Sequence, residues 1–259
     1  MARVPALRAT AYFVRTYART WRASIMTTFV NPTLYLLAMG VGLGSFIDKS
    51  ANHAVLGHLS YLQFVAPALA ASAAATTAAS ESMFPVMGAI KWQKTYYAML
   101  ATPLRVGDVL AGHLIWIAAR IATAVGSYLI VMAAFGATAS FESIAILPVG
   151  LLTGTAFAAP LAAFAATQDT DGSFSLMFRL GVVPLFLFSG VFFPLSQLPV
   201  GLRVIAYVTP LWHGVDLCRR LATGTVTAPG LAGHLAYLVG VTAAGLLAAR
   251  ITYRRRLLV

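Results

Sequence analysis

Arg120 is the ionisable residue set deepest in an apolar run, and on a helix it shares a stripe with Trp116 and His113, four and seven positions earlier. A charge at such depth costs at least about 2.5 kcal/mol in lipid, so the guanidinium must face protein or water, either in a structural pair or on a polar pathway. Other candidates for chemistry are sparse. Glu81, Asp108, Asp169 and Asp171 fall at the edges of apolar runs. An ion-coupled secondary transporter needs carboxylates inside them, so it stands as an alternative only. An intramembrane enzyme is weaker still, because Gly42, Gly44 and Ser45 have the outline of a serine motif without an acid-base set. His53 and His58 share a loop without a third ligand, and Cys218 is alone, so neither a metal nor a disulfide follows. No phosphate loop of the GxxxxGK[ST] kind occurs, and the lysines are Lys49, Lys91 and Lys94.

The elements that must position these residues are membrane helices. The chain of 259 residues is 59% hydrophobic and 10% charged, with a mean hydropathy of +0.82. That leaves too little charge to solvate a globular surface. A helix crosses the roughly 30 Å hydrocarbon layer with about 20 apolar residues. Six windows qualify: 24–46, 59–80, 109–135, 143–166, 174–193 and 231–253. None shows the short alternation of barrel strands, and the late first run argues against a removable signal peptide. The fold class is therefore all-α and polytopic, one transmembrane domain over 1–259.

Orientation follows from lysine and arginine. One side collects Arg3, Arg8, Arg15, Arg19, Arg22, Lys91, Lys94, Arg105, Arg179, Arg250, Arg254, Arg255 and Arg256. The other has only Lys49, Arg203, Arg219 and Arg220. Both termini are expected in the cytoplasm, and the net charge of +11 needs only membrane lipid, not nucleic acid, as its partner.

Three segments lie between or beside the spans. In 1–23, Arg8, Arg15, Arg19 and Arg22 fall on one side of a helical wheel and Leu7, Phe13, Val14, Tyr17 and Trp21 on the other. This predicts an interfacial helix; a topogenic basic flank is the plainer alternative. The loop 81–108 carries Met87, Ile90, Lys91, Trp92, Lys94, Tyr96, Tyr97 and Met99 between Pro85 and Pro103. It predicts one or two short helices that dock a cytoplasmic partner, or a second surface connector. The segment 194–224 is oily yet cut by Pro194, Pro199 and Pro210, with Gln197 near its start and Asp216, Arg219 and Arg220 at its end. Its pieces are too short to cross. It predicts a re-entrant hairpin in the outer leaflet whose charged tail returns to water or headgroups, in preference to a distorted seventh span.

These features, with WQKTYYAMLATPLRVGDVLAG (Trp92 to Gly112) following Glu81, FLFSGVFFPLSQLP (Phe186 to Pro199), TPLWHGVDLCRRL (Thr209 to Leu221) and a basic RRRLL end, resemble the membrane subunit of ABC-2-type exporters. The wording is most similar to the nodulation-factor (lipo-oligosaccharide) and drug exporter branch, over essentially the whole chain. The resemblance implies a permease without its own ATPase, paired with a second permease copy or homologue and with two ABC ATPase subunits that carry the ATP and magnesium. It implies a coupling helix around Pro85 to Tyr97, a connector helix over Arg8 to Arg22 and an outer gate in the hairpin. The exported amphiphile would be a glycolipid, lipo-oligosaccharide or hydrophobic drug.

Overall fold

A computed structural model describes residues 5–49, 56, 59–138 and 140–258, and among these it is helical with no strand. His53 and His58 lie outside the described residues. Helix α1 (Pro5–Tyr17) ends in a turn where the Thr20 hydroxyl bonds the Tyr17 carbonyl at 3.3 Å, a local contact that competes with helix continuation. Helix α2 (Trp21–Ile47) follows, with Pro32 buried inside it and a wide π stretch at Leu36–Leu43. The break corrects the expected single basic stripe. Arg8 and Arg15 stand on α1, Arg19 sits in the turn, and Arg22 belongs to the first turn of α2.

Helix α3 (Tyr61–Trp92) begins at a capping box in which the Ser60 hydroxyl accepts from the Gln63 amide and the Gln63 side chain accepts from the Ser60 amide, both at 3.2 Å. It bends at Met83 and runs on through Pro85 to Trp92, so most of the expected loop 81–108 is helix. Lys94, at φ 51°, reverses the chain into α4 (Thr95–Leu100). Next come α5 (Val106–Ala134), α6 (Phe141–Thr167) and α7 (Gly172–Phe188).

Among the described residues α2, α3, α5, α6 and the last helix, α10 (Ala228–Leu257), are long and apolar enough to cross a membrane. The chain is a polytopic membrane protein. The expected span 174–193 is shorter than anticipated. Helix α7 has 17 residues, about 26 Å of rise, and stops where Gly190 turns the chain at φ 78°. A single 3-10 turn, Leu195–Gln197, leads from Pro194 to Pro199, which precedes α8 (Val200–Tyr207). Helix α9 (Pro210–Thr223) then closes the hairpin on a Thr209 cap.

Helix α3 is the centre of the bundle. Ala66, Ala70, Ala74 and Ala78 are buried on it, as close helix packing in lipid requires. It contacts α5, α6 and α9. Helix α9 lies in the groove between α3, α6 and α10, with Leu211, Val215, Leu217, Cys218 and Leu221 in the main core. The second limb of the hairpin is thus part of the bundle. Its tail is divided: Arg220 pairs with Asp216 at 2.6 Å, as one helical turn allows. Arg219, expected to return to water, instead turns inward and donates to the carbonyls of Phe64 at 3.1 Å and Gly190 at 2.7 Å. The correction has a simple cause. A guanidinium has five donors, and the irregular turn at Gly190 presents a carbonyl no helix has claimed.

Candidate functional site

The candidate coupling residues divide by burial. Lys91, Trp92, Lys94 and Tyr97 are exposed, and Trp92 keeps 60% of its surface free. Pro85 is exposed on the flank of α3. Met87, Ile90 and Tyr96 are buried, so they do not face a docking partner as the loop reading required. They belong to the inner core that holds the corner in place.

That core is built around Tyr96. Its hydroxyl bonds His113 Nδ1 and lies 3.5 Å from the Tyr253 hydroxyl of α10. Burial, and then the Tyr253 phenol, push the Tyr96 hydroxyl well above its ordinary range, so it stays a donor. The His113 ring stacks on Phe13 of α1 at 4.5 Å, and its Nε2 has no hydrogen-bond partner among the described residues. Phe13 also stacks over Trp116 at 6.5 Å, and Tyr17 meets Trp116 at 5.3 Å. Gly112 makes this approach possible: a Cβ there would stand 2.5 Å from the Ala9 Cβ and 2.7 Å from the Ala6 carbonyl. The stripe His113, Trp116, Arg120 is therefore the bed on which α1 lies, while Leu7 and Val14 remain exposed.

Arg120 completes it. Its Nε pairs with Glu81 Oε1 at 3.0 Å, and its Nη1 donates to the Tyr17 hydroxyl at 3.0 Å and the Ser24 hydroxyl at 3.1 Å. The guanidinium also lies 4.7 Å from the Tyr17 ring centroid. One residue thus ties α1, α2, α3 and α5 together. The partner Glu81 is 39 positions away and carried no sequence signal beyond its charge.

The C-terminal end of α10 joins the corner through the loop after α6. Arg256 Nη2 pairs with Asp169 Oδ1 at 2.6 Å, and Lys91 donates to the Asp169 carbonyl. The Arg256 guanidinium, with help from Lys91, holds the Asp169 carboxyl below its ordinary range. The result is a continuous basic and aromatic face of Lys91, Trp92, Lys94, Tyr97, Arg255 and Arg256, backed by a packed core.

A cavity of about 640 Å³ lies between α2, α3, α5 and α7. Thr27, Asn31, Thr76 and Ser127 give it a polar wall, Phe178 and Phe186 an apolar one, and Arg120 closes one end. A chamber with both kinds of wall suits an amphiphile. On the far side of the bundle, Pro194 and Pro199 flank the 3-10 turn, with Gln197 exposed and Leu195 and Leu198 buried. There Asp216 meets α10 as well as Arg220, through His234 Nε2 at 3.2 Å. The His213 and His234 contact was not legible in the sequence, because they stand 21 positions apart on different helices.

Residues 9–221 match the family model described as ABC-2 type transporter. The matched stretch carries Arg120, the corner of Lys91, Trp92, Lys94 and Tyr97, and the hairpin as far as Leu221. The chain is 34% identical over 202 residues to Nodulation protein J of Rhizobium leguminosarum bv. trifolii, covering 78% of this chain and 75% of that one. It is 29% identical over 203 residues to Nodulation protein J of Rhizobium meliloti (strain 1021), covering 78% and 75%. The protein of the same name from Azorhizobium caulinodans is 28% identical over 228 residues, covering 85% and 87%.

Proposed function

We propose, on the premise that this chain belongs to the ABC-2 type transporter family, that it is one permease half of an ATP-driven exporter for an amphipathic substrate. As a family member it is a transmembrane transport permease, a component of a transporter and not an enzyme. The finer assignment is our reading. Two ATPase subunits bind ATP and magnesium and dock on the cytoplasmic face, a second permease, identical or homologous, completes the path, and both termini face the cytoplasm of a bacterial inner membrane. In this reading α7 and the irregular turn after it make a sixth crossing, and the hairpin from Pro194 to Gly224 gates the outer end. The exported amphiphile in this reading is a glycolipid, a lipo-oligosaccharide or a hydrophobic drug, for which the two-sided wall of the cavity is suited.

The observation that carries the reading is the rigid, exposed corner of Lys91, Trp92, Lys94 and Tyr97. Lipid-facing connectors have no need of a buried Tyr96–His113–Tyr253 core behind them. Closure of the ATPases against this corner would displace α3 and α5 together, because Arg120 and Glu81 pin them. Trp92→Ala with Tyr97→Ala is expected to weaken co-purification with the ATPase at least tenfold, about 1.4 kcal/mol, without lowering membrane insertion. Undiminished recovery of ATPase would exclude the corner as the docking site. Tyr96→Ala is the contrasting variant, and it should reduce the yield of folded protein because that side chain is buried.

Orientation has its own test. In a Cys218→Ser background, Thr223→Cys should react with an impermeant thiol reagent from outside intact cells and Asp171→Cys should not. The reverse pattern would invert the topology.

A further inference from the structure

Three polar contacts run in series along the seam where the hairpin meets α10. His213 Nε2 lies 3.1 Å from the Tyr207 carbonyl oxygen, His213 Nδ1 lies 2.8 Å from His234 Nδ1, and His234 Nε2 lies 3.2 Å from Asp216 Oδ2. Each contact needs one proton. The carbonyl and the carboxylate accept, and two facing Nδ1 atoms can share a single N–H. Two neutral imidazoles carry only two ring protons, so whichever tautomers they take, at least one of the three contacts sets lone pair against lone pair. Two imidazolium rings carry four, which drives two N–H groups head to head between the Nδ1 atoms. Three protons satisfy every contact.

We propose that His213, His234 and Asp216 form a proton-binding site that takes up one proton from the outer solution and, when occupied, fastens the hairpin to α10. The third proton resides between His234 Nε2 and Asp216 Oδ2, and it is drawn from water and returned to it. With the site empty, two ring protons serve three contacts and at least one link of the series is lost.

The groups facing the pair set its balance. Burial opposes a charge on His213 first, and His234 beside it opposes it too, while the Tyr207 carbonyl and Asp216 favour the proton. Arg220 on the same helix as Asp216, 2.6 Å from Asp216 Oδ2, competes for that carboxylate. Helix α10 adds Tyr237, whose ring stacks on His213 at 3.9 Å and whose hydroxyl donates to the Val208 carbonyl. Helix α8 contributes the uncharged Tyr207 carbonyl. The charge of the site is thus set by one acid, one base and two imidazoles, carried by α9 and α10. The site goes beyond the exporter reading and borrows from it only the side from which the proton arrives.

Trp212 is a built-in reporter. Its ring centroid lies 4.7 Å from that of His213 and 5.0 Å from that of His234, and an adjacent imidazolium quenches indole emission. The full chain, purified in detergent, would be titrated from pH 5 to pH 9 with its fluorescence recorded, and the same titration of Trp212→Phe subtracted. The expected difference is a single one-proton step in the wild type. His234→Gln should abolish it, and Asp216→Asn should move its midpoint toward acid by at least about one pH unit, the usual effect of removing an opposite charge at this range. A difference that is flat across the range, or a step unchanged in Asp216→Asn, would overturn the site. If His234→Gln does not fold, the Asp216→Asn displacement decides alone. In vesicles with the two faces held at different pH, the step should follow the outer face. A step that follows the inner face would keep the site and overturn the orientation.

Discussion

Gly245→Val separates α10 from α6 and costs the folded chain about 2–4 kcal/mol, making it among the most damaging single substitutions the fold admits. In lipid no hydrophobic force presses helices together, so close backbone approach supplies much of the attraction. At the crossing of α10 and α6 a Cβ on residue 245 would lie 2.5 Å from the Pro160 Cδ and 2.7 Å from the Pro160 backbone nitrogen. Neither atom can swing aside as the tip of a flexible side chain could, because both belong to a ring fused into α6. The helices must part, and Tyr253, eight residues further along α10, is pulled from its place beside Tyr96. Gly240 is the control, since a Cβ there meets nothing within 4 Å. Thermal unfolding in detergent should show Gly240→Val near the wild type and Gly245→Val far below it, with poor recovery of monodisperse protein. Equal behaviour of the two would mean that the α6–α10 crossing is not close-packed.

Arg219→Met is expected to be nearly as harmful, about 2–4 kcal/mol, although it adds an apolar residue to an oily helix. The guanidinium lies 3.7 Å from the Phe64 ring centroid while it binds the carbonyls of Phe64 and Gly190. Without it, the Gly190 carbonyl at the end of α7 faces the bundle unpaired, and the irregular turn loses its anchor to α3. Lysine should rescue only partly, because a point charge cannot reach two acceptors and cover a ring at once. Arg220→Met removes an i,i+4 pair of partly exposed groups, and its cost should stay within about 1 kcal/mol. The measurement is the unfolding midpoint in detergent, together with protease cleavage in 194–200. Equal losses for the two arginines would refute the anchoring role of Arg219.

The contrast between these neighbours shows where the sequence is legible. The long apolar runs announced the spans of α2, α3, α5, α6 and α10, because thickness and hydropathy are local properties. The alanines of α3 announced close packing for the same reason. Arg219 and Arg220 are identical in type and adjacent, and only the fold decides which meets a carbonyl and which meets Asp216. Loop 81–108 misled in a related way: Met87, Ile90 and Tyr96 have the composition of an interface, and they form one, but with α1, α5 and α10 of their own chain. Charge identified Arg120 as needing a partner, yet Glu81, Tyr17 and Ser24 lie 39, 103 and 96 residues away and nothing local could nominate them.

Lys94 holds a left-handed backbone without being glycine, which costs about 1–2 kcal/mol. An excised peptide covering 84–105 has no Tyr253, His113 or Asp169 to offset that strain, so in water it relaxes into ordinary right-handed or extended conformers. An antibody raised against such a fragment will recognise the denatured protein in preference to the native one. The native shape of the corner exists only as long as the helices far along the chain remain assembled behind it.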